Sequence, residues 1–198
     1  MKKEEDLIIG GESSKKKGFS NVLWTILLII PILVIGVSSY KLYDIMMEYN
    51  AGVNEYSDIA DTVVFERDAE KEEIDRLQQA EEDQPKTWVA PFAVDFEKLE
   101  GINKDVVGWI YMEAIPSISY PIVKGEDNSF YLHRTYKGEE NFAGAIFEDY
   151  NNASDFSDQN TIIYGHNMKN GSMFGALKKF KEKETLNKSK YFWLMTCL

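Results

Sequence analysis

The sequence predicts a mainly β domain with added helices, which follows a transmembrane helix and a helical stalk. Three observations predict this fold class: an uncharged run near the N-terminus, an acidic, helix-favouring segment after it, and short segments rich in β-branched and aromatic residues from residue 92 onward. We therefore divide the chain into a cytoplasmic tail (1–18), a transmembrane helix (19–40), an acidic helical stalk (41–91) and a compact domain (92–198).

Composition limits the function classes. The chain has 198 residues, and a hydrophobic content of 44% is typical of a globular protein rather than a disordered one. Its net charge of -11 repels phosphate backbones, so nucleic acid is not an expected partner. The single cysteine, Cys197, excludes an intramolecular disulfide and a zinc site of several thiolates, and no metal site is expected.

Residues 19–40 carry no charge, and about 20 apolar residues suffice for a helix to cross the hydrocarbon core. Pro31 lies within this run, where a membrane helix tolerates it. Three lysines at 15–17 precede the run, whereas Lys41 and Asp44 follow it, so we expect a cytoplasmic N-terminus and an extracellular C-terminal domain. A cleaved signal peptide is the alternative, although the run is long and no clear cleavage site follows it.

The segment between residues 41 and 91 contains five basic and fourteen acidic residues. Apolar residues recur in it at steps of three or four, at Tyr56, Ile59, Val63, and then Ile74 and Leu77. This spacing predicts a helix with one narrow apolar stripe. We favour a solvated spacer that holds the next domain away from the membrane; a helix packed on that domain is the alternative.

After residue 92 the predicted elements are short. Asp95 can cap a helix that Asn103 ends, and Ser172 can cap a second helix with Met173, Phe174, Leu177 and Phe180 turned inward. Strands are predicted at 106–112, 118–123, 143–149, 160–165 and 191–196. The last strand lies close to residue 198, so we expect the sheet to be incomplete here.

His166 is the first candidate for chemistry, because it follows a predicted strand and opens a polar loop, in IYGHNMKNGSMFG. Catalytic side chains are often mounted at such strand ends. From its position alone, His166 is either a structural or surface histidine or a general acid/base.

Four ordered blocks between residues 92 and 196 extend this observation: DVVGWI, YPIVKGEDNSFYL, GAIFEDYNN and NTIIYGHNMKNGSMFGALKKF. They resemble the class B sortases, which are membrane-anchored cysteine transpeptidases of Gram-positive bacteria. The resemblance implies an eight-stranded β-barrel with added helices, incomplete here, so that residues 92–198 form the N-terminal part of a catalytic domain. A membrane anchor and a spacer are features of that family as well.

The resemblance also assigns site residues. His166, in Y-G-H-N, matches the catalytic histidine of the family. Tyr164, together with Asn128 and Leu132 in D-N-S-F-Y-L, matches positions that line the groove for the sorting signal. From residue type alone, a buried tyrosine, a turn asparagine and a core leucine are equally good interpretations of these three.

The family's nucleophile is a cysteine in a T-L-x-T-C motif, followed by an arginine. This chain ends in W-L-M-T-C-L, which imitates the motif only in part, and Cys197 lies just thirty-one positions after His166. We therefore do not assign Cys197 as the nucleophile and expect the family's cysteine and arginine to be missing. On this interpretation the chain is a C-terminally truncated class B sortase whose own activity is doubtful.

The chemistry implied by the resemblance is transpeptidation. A cysteine attacks a backbone carbonyl in the sorting signal of a surface protein, the histidine protonates the leaving amine, and the arginine stabilises the oxyanion. An amine of a cell-wall precursor then resolves the acyl-thioester, and no cofactor is needed. Two alternatives stay open: a non-catalytic surface module that binds sorting signals, and a membrane-tethered interaction protein that acts through its acidic stalk.

Overall fold

The computed structural model describes residues 16–66, 90–189 and 191–196. The chain divides into two compact units, residues 1–47 and residues 48–198. One long helix, α1 (Lys16–Val63), begins in the first unit and ends in the second.

In the first unit, α1 presents apolar side chains on all sides. Every side chain described from Val22 to Met47 is exposed, including the apolar run that contains Pro31. A helix that is apolar all round and buries none of these side chains in protein is typical of a membrane span. By length and composition, this is the one candidate span among the described residues.

In the second unit, the C-terminal part of α1 is packed rather than solvated. Tyr56, Ile59 and Val63 are 5%, 2% and 0% exposed and belong to the hydrophobic core. The hydroxyl group of Tyr56 donates a hydrogen bond to the carbonyl oxygen of Gly144 at 3.1 Å. The spacer interpretation is therefore wrong for this stretch, and the alternative of a packed helix describes it.

Two acidic side chains of α1 also help to hold the C-terminal part of this helix against the rest of the second unit. Glu48 accepts a hydrogen bond from the backbone N–H of Phe142 at 2.8 Å, and Glu55 accepts one from the backbone N–H of Lys137 at 3.1 Å. Both carboxylates therefore satisfy donors of a loop that would otherwise need water. The helix ends at Val63, and Ile74 and Leu77 lie outside the described residues.

A two-stranded ribbon and a short helix follow. Strand β1 (Val64–Glu66) pairs antiparallel with β2 (Phe92–Val94). Helix α2 (Phe96–Ile102) begins at Asp95, whose side chain accepts a hydrogen bond from the backbone N–H of Lys98 at 3.0 Å, and ends at Asn103. Both predicted ends of this helix are confirmed.

The main sheet has five strands in the order β6-β5-β4-β3-β7. They are β3 (Val106–Tyr111), β4 (Ser119–Val123), β5 (Ile146–Glu148), β6 (Ile163–Tyr164) and β7 (Trp193–Thr196). Strands β4 and β5 are parallel, and the other neighbours are antiparallel. All five lie within predicted segments, and among the described residues the sheet does not close into a barrel.

The segment after His166 differs from its prediction at its start. It forms a 3₁₀ helix (Phe174–Lys181) and then α3 (Lys183–Lys188), and the first begins after Met173 without a side-chain cap. Ser172 is not the cap: the position before the helix is Met173, and the hydroxyl group of Ser172 donates to Asn170 Oδ1 at 2.7 Å. The inward positions are as predicted: Met173 is buried, and Phe174, Leu177 and Phe180 pack against the core.

Candidate active site

His166 lies at the start of the loop that leaves β6, and this loop folds back on itself. The backbone N–H of Phe174 donates to the carbonyl oxygen of His166 at 3.0 Å, and Asn167 forms an isolated bridge with Met173. A side chain at Gly165 would collide with Ile146 and Phe174, so a residue without Cβ is needed just before the histidine. These contacts fix the backbone from which the imidazole projects.

The imidazole itself is held by the chain near Leu132. His166 Nε2 lies 2.8 Å from the carbonyl oxygen of Leu132, which can only accept, so Nε2 carries the hydrogen and donates it. In the neutral ring, Nδ1 is then the nitrogen with a free lone pair. Nδ1 is therefore the atom of His166 that can exchange a proton with a bound molecule.

A second histidine, His133, lies beside the first. The two rings are stacked, with centroids 6.0 Å apart and an angle of 28° between the planes. His133 belongs to a 3₁₀ turn (Tyr131–His133), directly after the residue whose carbonyl holds His166. Sequence analysis did not assign it a role, although it is the only other histidine in the chain.

Asp149 organises the polar side of the site. It directly follows β5, and its Oδ2 accepts hydrogen bonds from Asn128 Nδ2 and from the hydroxyl group of Tyr164, each at 2.8 Å. Its Oδ1 accepts from the backbone N–H and the side-chain amide of Asn151, at 2.9 and 3.0 Å. The hydrogen bond from the Asn151 backbone, and next those from Asn128 and Tyr164, lower the pKa of Asp149 to about 2, so it is ionised at neutral pH.

The structure therefore brings the four residues predicted from the sequence into two small groups. Asn128 and Tyr164 share one carboxylate oxygen, and Leu132 holds His166 through its carbonyl group. Leu132 and Tyr164 are 37% and 36% exposed, so each of them is accessible to a bound molecule. Their assignment to sorting-signal binding stays a prediction.

Asp149 was missed by sequence analysis. The signal that could have identified it is the acidic residue at the end of the predicted strand AGAIFED. Its neighbour Glu148 was missed as well: it is fully buried, and neither carboxylate oxygen has a hydrogen-bond partner. Burial raises the pKa of Glu148, against the opposing effect of Lys124.

An open pocket of about 500 Å³ adjoins His133. Its wall includes His133 and the rings of Phe130 and Phe142, together with the side chain of Asn141. Among the described residues, no three His, Cys, Asp or Glu side chains are grouped so that they could hold a metal ion. The pocket thus combines apolar and hydrogen-bonding groups with four charged residues, Glu48, Asp127, Arg134 and Glu140.

Comparison with known proteins identifies two relatives of the same kind. The chain is 50% identical over 92 residues to sortase B of Listeria monocytogenes, and 38% identical over 95 residues to sortase B of Staphylococcus aureus. These matches cover 46% and 48% of this chain but 37% and 38% of the relatives, so the chain spans well under half the length of the curated relatives that it matches. No protein-family model matches the chain.

A solved structure extends the comparison. A Staphylococcus aureus sortase B–substrate complex is 28% identical to this chain with a TM-score of 0.54, over 76% of this chain and 61% of that one. The second unit therefore has a sortase-type fold of mixed sheet and helices. In the chain, this fold comes after the apolar part of α1. The sequence relatives of the chain are sortase B proteins, so the chain is similar in sequence and in fold to part of the class B sortases, and the resemblance inferred from its motifs is confirmed.

Proposed function

We propose that this chain provides the histidine and part of the substrate groove of a class B sortase-type cysteine transpeptidase. The observation that carries the proposal is the arrangement around His166: its Nε2 is held by the Leu132 carbonyl, which leaves Nδ1 available, and Tyr164 lies two residues away on β6. The similarity to sortase B of Listeria monocytogenes supports this reaction class.

In the proposed reaction, a cysteine thiolate attacks a backbone carbonyl of the sorting signal. The carbon–nitrogen bond breaks, the amine leaves with a proton from the histidine, and an acyl-thioester remains. An amine of a cell-wall precursor then attacks the thioester, forms the new amide and releases the thiol. In this proposal the chain contributes the proton donor, His166, and we assign none of the described residues to the roles of the family's cysteine and arginine.

The groove residues define the binding part of the proposal. Asn128, Leu132 and Tyr164 would contact the sorting signal of a surface protein; a solved relative with 28% identity is a sortase B–substrate complex, which supports peptide binding in general. A non-catalytic module that binds sorting signals is the second candidate, because the contacts of Asp149 with Asn128 and Tyr164 need no nucleophile. The stalk alternative is not favoured, since part of the stalk is packed in the core.

Peptide binding tests the function shared by both candidates. We expect a fluorescein-labelled peptide, taken from the C-terminal sorting signal of a surface protein of the same organism, to bind the detergent-solubilised chain. Tyr164→Ala should weaken binding about tenfold or more, because it removes both the ring and a hydrogen-bonding group. Leu186→Ala is the matched control, since Leu186 is also exposed but lies on α3. Equal affinity of the two variants would contradict the proposed groove.

We also propose a membrane topology: a cytoplasmic tail (1–18), a single span (19–40) and an extracellular remainder. The candidate span in α1 and the three lysines that precede it support this orientation. Protease added to intact protoplasts should remove a C-terminal epitope and spare an N-terminal one. Protection of the C-terminal epitope until the membrane is permeabilised would overturn the orientation.

A further inference from the structure

The side chain of Asn128 is fixed at both ends of its amide. Its Oδ1 accepts a hydrogen bond from the backbone N–H of Tyr150 at 3.1 Å, and its Nδ2 donates to Asp149 at 2.8 Å. A rotation that exchanged oxygen and nitrogen would lose both bonds, so the amide has one orientation. Because an amide nitrogen carries two hydrogens, one N–H of Asn128 is left for a further acceptor.

The hydroxyl group of Tyr164 is fixed in a complementary way. An ionised carboxylate can only accept, so Tyr164 must donate its single hydroxyl proton to Asp149 Oδ2. The ring is held by Phe147, with centroids 5.0 Å apart and an angle of 29° between the planes. The phenolic oxygen can then act toward any other molecule only as an acceptor.

Asp149 lies beneath the two groups that it orients. It is 8% exposed, Asn128 is half-buried, and Tyr164 is 36% exposed. A bound molecule therefore meets the amide and the phenol rather than the carboxylate. A buried acceptor that is ionised at neutral pH keeps both groups donating toward it and does not itself occupy the surface.

We propose that Asp149 is a positioning residue that sets the polarity of the groove, so that Asn128 presents one donor and Tyr164 one acceptor to an extended peptide main chain. The edge of an extended peptide offers the complementary carbonyl and N–H groups, whatever its side chains are. The substrate class at this point is thus the peptide backbone. The proposal rests on the proposed peptide-binding function, and its first test is independent of that function.

The first test follows the ionisation of Tyr164 in the full-length, detergent-solubilised chain. The hydrogen bond to Asp149 raises the pKa of Tyr164, so Asp149→Asn should lower that pKa by removing the negative acceptor. Tyrosine ring signals in an alkaline NMR titration measure it, and Tyr164→Phe assigns the signal. Asp158→Asn is the matched control, because Asp158 also accepts hydrogen bonds in the same loop but does not contact Tyr164. An unchanged Tyr164 titration in Asp149→Asn would overturn the positioning role.

The second test measures the affinity of the labelled sorting-signal peptide and of versions methylated at single backbone nitrogens. We expect Asp149→Asn to weaken binding of the unmodified peptide at least tenfold. Methylation of one particular backbone nitrogen of the peptide should weaken its binding to the wild-type chain by a similar factor. The same methylation should have little further effect on binding to Asp149→Asn. Tyr164→Phe, which keeps the stacked ring, should also weaken peptide binding tenfold. Its affinity should no longer depend on whether that backbone nitrogen is methylated. Equal affinity of all N-methylated peptides for the wild-type chain would overturn main-chain recognition. A shifted Tyr164 titration with no peptide bound by the wild-type chain would overturn the proposed function instead.

Discussion

Gly144→Ala is expected to destabilise the second unit by about 2–5 kcal/mol, since positive φ and steric overlap both oppose a side chain at this position. Gly144 has φ of +59°, and a Cβ atom there would lie 2.5 Å from the carbonyl oxygen of Leu132 and 2.8 Å from that of Tyr131. Backbone atoms cannot move aside as a flexible side chain can. Chemical denaturation followed by tryptophan fluorescence, to which buried Trp109 contributes, measures the loss.

The same substitution should also disturb the candidate active site. The Leu132 carbonyl that a new methyl group would displace is the acceptor for His166 Nε2. The imidazole signals of His166 should therefore shift or broaden in NMR spectra of any folded Gly144→Ala protein. Gly138→Ala is the control, because Gly138 has φ of +83° but open space around its Cα. Equal losses of stability in the two variants would show that the overlap with Leu132 has no effect.

The sequence predicted those parts of the fold that depend on local pattern. Strand β3 lies where VVGWIY places β-branched and aromatic residues together, and α2 begins at its predicted cap, Asp95. Strands β5 and β6 are shorter than predicted, because the two pair over only Phe147 with Tyr164 and Glu148 with Ile163. The extent of a strand is set by its partner, and the partner is not visible in local composition.

The packing of α1 and the hydrogen bonds of its carboxylates were harder to predict, because their partners are also not visible in local composition. A stripe of Tyr56, Ile59 and Val63 is narrow enough for a solvated helix, and nothing in it shows that Gly144 would accept a hydrogen bond from the tyrosine. Glu48, which composition assigns to a solvated face, instead accepts from a backbone N–H that lies 94 positions away. Long-range contacts of this kind depend on the assembled fold.

The candidate site also contains one residue that local sequence predicts and one that depends on long-range contacts. His166 was predicted from its place at a strand end and from the motif around it. Asp149 was not predicted, because its two partners lie 21 residues before it, at Asn128, and 15 residues after it, at Tyr164. Only the pairing of β5 with β6 brings Tyr164 beside the end of β5. The most interconnected polar residue of the site is thus the one that local sequence describes least.

The largest effect on activity is expected when the chain is extended with a C-terminal segment of a relative. We expect the 198-residue chain alone not to cleave the sorting-signal peptide, since Cys197 stands only thirty-one positions after His166 and matches the family motif in part. Extending it with a C-terminal segment of sortase B of Listeria monocytogenes, a relative of which this chain matches 37%, should give cleavage. In the proposed reaction, the added segment would supply the nucleophile and the oxyanion donor, and His166 would supply the proton for the leaving amine.

In this extended protein, His166→Ala should lower kcat/KM about 10²–10⁴-fold, the range typical of general acid–base catalysis. Substitution of the added cysteine should have at least as large an effect, because no acyl-thioester can form without it. Cys197→Ala is the control and should leave the rate unchanged. Chromatographic measurement of the released peptide fragment distinguishes these cases. Turnover by the unextended chain that is lost in both Cys197→Ala and His166→Ala would instead identify Cys197 as the nucleophile of a compact transpeptidase, because only a thiol that reacts in concert with this imidazole would depend on both residues.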